Sequence, residues 1–304
     1  GETPDEVLHG EDPEDCIACH GPTAISANGG MSEAQALSYF FSTTDGKFTA
    51  DTAPLHNSEW PSIACTACPD VPGDHPANVP TLALFDSQSG QYLSMDGASK
   101  LCGECHGDLR FDTDHLTYNA WTQSKHSDTQ ADVASELAEE RAGETPDEVL
   151  HGDDPENCIA CHGPTVVLAG GGMSEAEALN YFFTTADGKF TADTAPAHSS
   201  EWPSVSCTAC HDQHDPAKPS YFNSSTKKYE PMESPDKLCG QCHGNLRFPD
   251  TDHLSYNIRS GTGGIGVPDQ QTMPGVTCTD CHMFVSDVDG SNSSMFHGTP
   301  GRLR

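Results

Sequence analysis

The placement of the cysteines constrains this chain more than any other feature of its sequence. All 14 cysteines fall into seven C-x-x-C pairs, and six of these pairs are followed directly by one of only 16 histidines. Chance would put a histidine there about once in twenty trials, so each thiol pair and its imidazole act together in one chemical task. The six complete motifs are Cys16/Cys19/His20, Cys102/Cys105/His106, Cys158/Cys161/His162, Cys207/Cys210/His211, Cys239/Cys242/His243 and Cys278/Cys281/His282.

A C-x-x-C-H motif is typical of the covalent attachment of c-type haem. Two thiols at this spacing reach the two vinyl groups of one porphyrin, and the adjacent histidine becomes the proximal ligand of the iron. Zinc sites do not need a histidine directly after the second cysteine, and a disulfide framework spaces its cysteines irregularly. A thioredoxin-like motif occurs once per domain on a βαβ background, which this sequence lacks. The sequence therefore predicts six haems.

The seventh pair breaks the pattern. Cys65 and Cys68 are followed by Pro69, where the matching segment of the chain has His211. Two alternatives stay open. Either the haem is lost there and the thiols are free or disulfide-bonded, or a seventh haem uses another ligand, for which His75 is the nearest candidate.

The composition indicates that side chains alone do not supply the interior. Hydrophobic residues make up 35% of the chain and aromatic residues 7%, while Gly and Pro number 28 and 22. Porphyrins would add large apolar plates, much as metals and disulfides stabilise other chains with thin cores. We therefore predict a haem-cored multihaem fold, mostly loop with short α-helices and very little β-structure.

The chain contains two copies of one unit. Both copies open with GETPDEVLHG and share CIACHGPT, DGKFTADTAP and a final C-G-x-C-H-G segment, and each copy holds three C-x-x-C pairs. A repeat of this length indicates tandem structural units. The predicted organisation is a first haem repeat over residues 1–126, a helical linker over 127–142, a second haem repeat over 143–258 and a single-haem segment over 259–304.

Each copy also has one clear helix start. Ser32 is followed three residues later by Gln35, and Ser174 by Glu177, which is the pattern of a capping box. Asp187-Gly188 and its counterpart Asp45-Gly46 are turn signals. The acidic, Ala-rich bridge between the copies is predicted to form a short helix.

Ten histidines lie outside the motifs and are candidates for the distal axial ligand. Two imidazoles on each iron favour haems with no open coordination site, which suits electron transfer better than binding of a substrate. The assignment of each histidine to a haem stays open. The candidates are His9, His56, His75, His115, His126, His151, His198, His214, His253 and His297.

Charge and hydropathy exclude some partners. The formal net charge of −32 repels nucleic acid and anionic membrane surfaces. No apolar run is long enough to span a membrane, and we expect Gly1 to follow a removed signal peptide. Asp287 and Asp289, followed by Gly-Ser-Asn, resemble part of a calcium loop that lacks its terminal Glu, so Ca²⁺ is a candidate second cofactor.

The motifs CIACH, CTACH, CGECH, CGQCH and CTDCH resemble those of multihaem c-type cytochromes over nearly the whole chain. The resemblance implies export, haem attachment outside the cytoplasm and electron relay between closely packed haems. It extends to the extracellular cytochromes that polymerise into filaments, which implies a homopolymer, other cytochromes and terminal electron acceptors as partners. His9 and His297 are then candidates to donate a ligand across a subunit interface. A carrier in the periplasm or at the cell surface is the alternative.

Two segments, VTCTDCHM near the C-terminus and C-H-D-x-H after Cys207, resemble the multihaem nitrite-reductase superfamily. That family leaves its catalytic iron open at a C-x-x-C-K site, and this chain has none. If one open haem exists, the irregular Cys65/Cys68 pair is where it would lie. We expect an electron-transfer protein rather than an enzyme.

Overall fold

A computed structural model describes most of the chain as short helices joined by loops and three small hairpins. The backbone falls into two compact units. Unit 1 comprises Gly1–Pro76, Thr81–Asp96 and Leu109–Phe111, and unit 2 comprises Ala77–Pro80, Gly97–Asp108 and Asp112–Arg304. The structure describes residues 1–10, 16–22, 31–55, 67, 82–86, 89–95, 98–107, 109, 117–153, 155–169, 173–198, 204–212, 218–248, 254–261, 275–286 and 294–297.

Unit 1 is built on two short helices that both begin with a capping box. At the first, Thr3 accepts from the Glu6 backbone and Glu6 accepts from the Thr3 backbone; Ser32 and Gln35 do the same at the other. This exchange satisfies two backbone donors that a helix start leaves open. The elements are α1 (Pro4–His9), α2 (Cys16–His20), α3 (Glu33–Phe40), β1 (Leu82–Asp86) and β2 (Gln91–Met95).

The described core of unit 1 is small. Leu8, Ile17, Leu37 and Phe40 are buried together with Ala36, and β1 pairs antiparallel with β2. A cluster of this size supplies only part of the apolar area that a stable domain buries, which agrees with the low content of hydrophobic and aromatic residues.

Unit 2 holds most of the helices and strands that the structure describes. Its helices are α4 (Ala98–Gly103), α5 (Thr117–Thr122), a 3₁₀ helix (Lys125–Asp128), α6 (Gln130–Glu139), α7 (Pro146–His151), α8 (Cys158–His162), α9 (Val166–Ala169), α10 (Glu175–Phe182), α11 (Cys207–Cys210), α12 (Pro235–Cys239), α13 (Ser255–Ser260) and α14 (Cys278–His282). Its strands are β3 (Ser220–Asn223), β4 (Lys228–Pro231), β5 (Met283–Ser286) and β6 (Ser294–His297), paired as two antiparallel hairpins.

The predicted local signals are present in unit 2. Ser174 and Glu177 form the capping box of α10, and Asp187 and Gly188 turn the chain with φ of 54° and 75°. Glycine adopts such a positive φ at little cost. Helix α6 lies within the acidic bridge for which the sequence predicts a helix. Helices with little sheet agree with the predicted fold class, whereas the repeat and domain boundaries stay a prediction.

One apolar cluster dominates unit 2. It joins α6, α7, α8, α9 and α10, and its members are less than 9% exposed. The fully buried large side chains include Leu137, Ile159, Leu179, Phe182 and Phe190. Because the side chains of this cluster pack directly on one another, we expect the segment around residues 133–190 to keep its interior without a cofactor.

Replacing one of the fully buried aromatic rings of this cluster tests how much the cluster contributes to stability. Phe182 is 1% exposed, so we expect Phe182→Ala to lower the free energy of unfolding by about 3–5 kcal/mol, from lost burial and the cavity left behind. Chemical denaturation of the haem-loaded protein measures the change. Leu246→Ala is the control, because Leu246 is 43% exposed and should cost far less. Equal losses in the two variants would contradict the described core.

None of the described helices is long and apolar enough to cross a membrane.

Candidate haem-binding sites

The described C-x-x-C-H motifs share one local geometry. The helices α2, α8 and α14 begin at the first cysteine and end at the histidine, and α11 covers both cysteines before His211. In the other two motifs the His106 and His243 backbone N–H groups donate to the carbonyl of the first cysteine of their own motif, at 2.8 Å each. One helical turn places residues i and i+3 on the same face. In the motifs whose two cysteine side chains are both described, the two thiols therefore face one side, with the imidazole beside them.

The cysteine side chains that the structure describes fit a covalently bound haem. None of them forms a disulfide, so each sulfur is able to form the thioether that the sequence predicts. The side chains of Cys16 and Cys281 lie outside the description. The ten described side chains are those of Cys19, Cys102, Cys105, Cys158, Cys161, Cys207, Cys210, Cys239, Cys242 and Cys278.

Cys19 and Cys105 are the second cysteines of the 16–20 and 102–106 motifs. Both side chains are half-buried, and each is a thiol in the structure, where the sequence predicts a thioether to haem. The Cys105 backbone N–H donates to the Cys102 carbonyl at 3.3 Å, which keeps the two cysteines of that motif in one turn. The structure therefore places both sulfurs within their motifs, and their bonds to haem stay a prediction.

The motif histidines are accessible in most of the sites. His20, His106, His211, His243 and His282 are exposed, so a metal can approach their rings. His162 is half-buried. The accessible imidazoles agree with the predicted role of proximal ligand, which likewise stays a prediction.

Thiols of different motifs meet inside unit 2. Hydrogen-bond contacts join Cys102 with Cys207, and Cys161 with Cys242. A third joins Cys239 with Cys278. These contacts bring motifs that are distant in sequence into direct contact, and the 239–243 motif touches two others.

The thiols that meet have different acidities. The hydrogen bond with Cys102 lowers the pKa of Cys207 to about 7 against the opposing effect of burial, and a contact with Ser99 adds to the lowering. Burial raises the pKa of Cys158 and of Cys210 to about 12. Because the thiolate is the reactive form, Cys207 is the more reactive sulfur of its motif.

The β3–β4 hairpin holds two motifs in place. The Tyr221 hydroxyl donates to the Ala160 carbonyl at 2.5 Å, inside the CIACH segment. The Tyr229 hydroxyl donates to the Thr208 carbonyl at 2.7 Å, inside the CTACH segment. Arg247 donates to the Tyr221 hydroxyl and, at 2.9 Å, to Asn223. The hairpin thereby fixes the spacing between the motif at 158–162 and the motif at 207–211.

An ion pair fixes the last motif. Asp236 lies on α12 and accepts the Cys278 backbone N–H at 2.7 Å, while Arg259 contacts its other oxygen at 2.9 Å. Asp236 is buried, and a buried carboxylate is stable only when paired and hydrogen-bonded. The start of the CTDCH segment is thus tied to the helix that carries Cys239.

A glycine follows the histidine in the two C-G-x-C-H-G motifs because a tyrosine packs there. The Tyr256 backbone N–H donates to the His243 carbonyl at 2.7 Å, and a Cβ on Gly244 would lie 2.8 Å from the Tyr256 Cβ. The first copy has the same contact between Tyr118 and His106. A larger residue would push the following helix away from the motif.

The structure describes the side chains of four histidines that are candidates for the distal axial ligand. His126 lies 5.9 Å from His243 between ring centroids, and His198 stacks on Tyr181 at 4.2 Å. His9 and His151 end α1 and α7 and are exposed, with Nδ1 at 3.5 and 3.2 Å from a carboxylate oxygen of Asp5 and Asp147, respectively.

The remaining predicted residues are described less fully. The backbone of His297 pairs with that of Met283, next to the last motif. Cys65, Cys68, His56, His75, His115, His214 and His253 lie outside the described residues, as does the candidate calcium segment at Asp287–Asn292. These assignments stay predictions.

A half-buried pair of carboxyl groups adjoins the 158–162 motif. The ligand atoms of Glu136, Glu156 and Cys158 lie within 4.8 Å of one another, and Arg141 contacts Glu156. Burial and a hydrogen bond with Glu156 raise the pKa of Glu136 to about 7. We infer that the Glu136 and Glu156 carboxyl groups share one proton, and that the Arg141 guanidinium holds Glu156 in place.

This raised pKa predicts a pH dependence of stability. The folded chain holds the Glu136 proton more tightly than the unfolded chain, whose group titrates near 4.5, so stability falls as pH rises from about 4.5 to about 7. We expect Glu136→Gln to raise the free energy of unfolding at pH 8 by at least about 1 kcal/mol and to leave it unchanged at pH 4. Urea denaturation at both pH values measures this. Glu139→Gln is the control, because Glu139 is exposed on the same helix, and it should leave the free energy of unfolding unchanged at both pH values. An equally unchanged free energy in Glu136→Gln would contradict the raised pKa of Glu136.

Sequence reasoning did not find the residues that orient the motifs. Tyr221, Tyr229, Asp236 and Arg259 belong to no motif, and the four-residue strands of the hairpin are too short to show a periodic pattern in the sequence. Their role depends on contacts between segments far apart in the chain.

Two family models match the chain. The doubled CXXCH motif matches residues 203–248, and cytochrome c554 and c-prime matches residues 101–181. No curated protein and no solved structure gave a match. The matched segments contain four of the six complete motifs, all in unit 2. The motifs and these two matches together support a multihaem c-type cytochrome, with C-x-x-C-H motifs that serve haem-based electron transfer.

Proposed function

We propose that the chain conducts electrons through six haems bonded to its six C-x-x-C-H motifs. The observation that carries this proposal is the contact between motifs: the 239–243 motif touches those at 158–162 and 278–282, and the 102–106 motif touches that at 207–211. Cofactors bonded to touching segments are adjacent, and adjacency is what stepwise electron transfer requires. When bound, haem iron supplies reversible one-electron redox chemistry.

The side chains of the chain would divide the work as follows. The paired cysteines would hold the porphyrin through thioether bonds, and the motif histidine would be a ligand of its iron. Tyr221, Tyr229 and Asp236 hold the motifs at fixed spacing through their carbonyl and amide contacts. Proteins usually tune a metal site through residues that hydrogen-bond to the ligands and orient them.

The 239–243 motif is the junction of the proposed relay. Its two sulfurs contact Cys161 and Cys278, and Cys210 is near enough to influence the pKa of both Cys239 and Cys242. The proposed order of sites in unit 2 therefore differs from the order in sequence. It runs from 102–106 through 207–211 to 239–243, which connects to 158–162 and to 278–282.

We propose an exported location and assembly into an extracellular filament, with other cytochromes or terminal acceptors as partners. The spread of motifs from residue 16 to residue 282 supports the filament, because it allows a site near each end of a subunit. The exposed imidazole of His9, with Nδ1 near Asp5, is a ligand of the kind that a second subunit could use.

Spectroscopy and microscopy on the purified protein test these proposals. Six haems by mass, reduction by a small donor, and the absence of nitrite or carbon monoxide binding would agree with a conduit. A high-spin haem that binds nitrite would instead favour a reductase with an open site at Cys65/Cys68. Thin filaments in negative stain would agree with the polymer, whereas a monomer at all concentrations would favour a periplasmic or surface carrier.

A further inference from the structure

His126 is a distal candidate without a counterpart in the second copy. It lies in the 3₁₀ helix at Lys125–Asp128, just before the bridge between the copies. Its ring nevertheless comes within 5.9 Å of the His243 ring, 117 positions later in the chain, with 46° between the ring planes.

The distance between the His126 and His243 rings suits two ligands of one metal ion. Bonds from imidazole nitrogen to a metal are about 2.0 Å long, so two rings on opposite sides of one ion have centroids roughly 6 Å apart. The angle between the planes is unconstrained, because each ring turns about its own metal–nitrogen bond. A stacked pair looks different: His198 and Tyr181 lie 4.2 Å apart and only 7° from parallel.

Both rings are carried by anchored backbone. The His126 carbonyl accepts the Val205 N–H at 3.0 Å, and the Trp121 indole N–H donates to the Val205 carbonyl at 2.9 Å. On the other side, the His243 N–H donates to the Cys239 carbonyl at 2.8 Å. Ligands held in place before the metal arrives lose less conformational freedom on binding it.

We propose that His126 and His243 are the two axial ligands of the haem bonded to Cys239 and Cys242, an assignment that rests on the proposed function. The relay junction would then be closed to external ligands by the segment that precedes the bridge. His282 is the other motif histidine close enough to influence His126, and it forms the competing assignment.

The test uses the haem-loaded full chain with His126→Ala, and Lys125→Ala as the matched control. We expect intact mass to show unchanged haem content in both. Only His126→Ala should show one high-spin haem per chain by electron paramagnetic resonance and bind one equivalent of carbon monoxide when reduced. Added imidazole should restore the low-spin spectrum, which shows that the site has folded. Low-spin spectra without carbon monoxide binding, at full haem content, would overturn the assignment.

Two double-cysteine backgrounds identify the haem. In Cys239→Ser/Cys242→Ser, His126→Ala should add no high-spin signal, because its haem is already gone. In Cys278→Ser/Cys281→Ser, it should add the full signal. The reverse pattern would assign His126 to His282 and overturn the proposal. A protein without any bound haem would instead refute the proposed function itself.

Discussion

Replacing Cys239 and Cys242 together by serine is expected to remove one haem and to slow electron transfer across unit 2 more than loss of any other described site. The reason is the junction: these sulfurs contact Cys161 and Cys278, and Cys210 lies close by. We expect slowing by roughly tenfold or more, which needs only about 1.4 kcal/mol of added activation free energy. Flash reduction followed by time-resolved absorption measures the rate, and intact mass measures the haem loss.

The matched control is Cys278→Ser/Cys281→Ser. It also removes one haem, but the described contact of Cys278 reaches the 239–243 motif alone among the motifs. Electron transfer among the remaining haems should therefore stay close to the wild-type rate. Equal slowing in the two variants, at equal haem loss, would show that the 239–243 motif is not a junction.

A chain produced without haem is expected to lose its structure unevenly. The cluster around Phe182 and Phe190 is a side-chain core, so amides of α6, α7 and α10 should keep their protection from hydrogen exchange. Among the described residues between 204 and 261, the buried large side chains are chiefly Tyr221, Phe222 and Tyr256. We expect its amides to exchange at nearly the rate of an unfolded chain, which is a loss of all measurable protection.

Hydrogen exchange with mass spectrometry compares the haem-free and haem-loaded chains peptide by peptide. The peptide from residue 175 to residue 190 is the internal control, since it should differ little between the two. Full protection of residues 204–261 without haem would mean that the hairpin and the Asp236–Arg259 ion pair hold this region alone. Loss of protection everywhere would mean that the side-chain cluster is not independent.

Local structure was predictable because its signals are local. Two helix starts follow from the capping-box pairs Ser32 with Gln35 and Ser174 with Glu177. A turn follows from Asp187-Gly188. The β3–β4 hairpin was not predicted, because its strands are four residues each and too short for a periodic pattern to stand out.

The sequence predicts which residues form each haem-binding motif, but it does not predict which motifs contact one another. Cysteine spacing and the following histidine identify the haem-binding residues, since both lie within five positions. Which motifs touch depends on residues such as Tyr221 and Asp236, which act across 61 and 42 positions. The pairing of His126 with His243 is likewise set by folding, so no spacing rule encodes it.

The presence of covalent haem is the claim on which the conduit, the junction and the axial pair all rest. Intact-mass measurement of the purified protein, with its Soret absorption, tests it most directly. We expect a mass equal to the polypeptide plus six haems, or seven if Cys65/Cys68 also carries one, and a strong Soret band. A colourless protein with the mass of the bare polypeptide would contradict it.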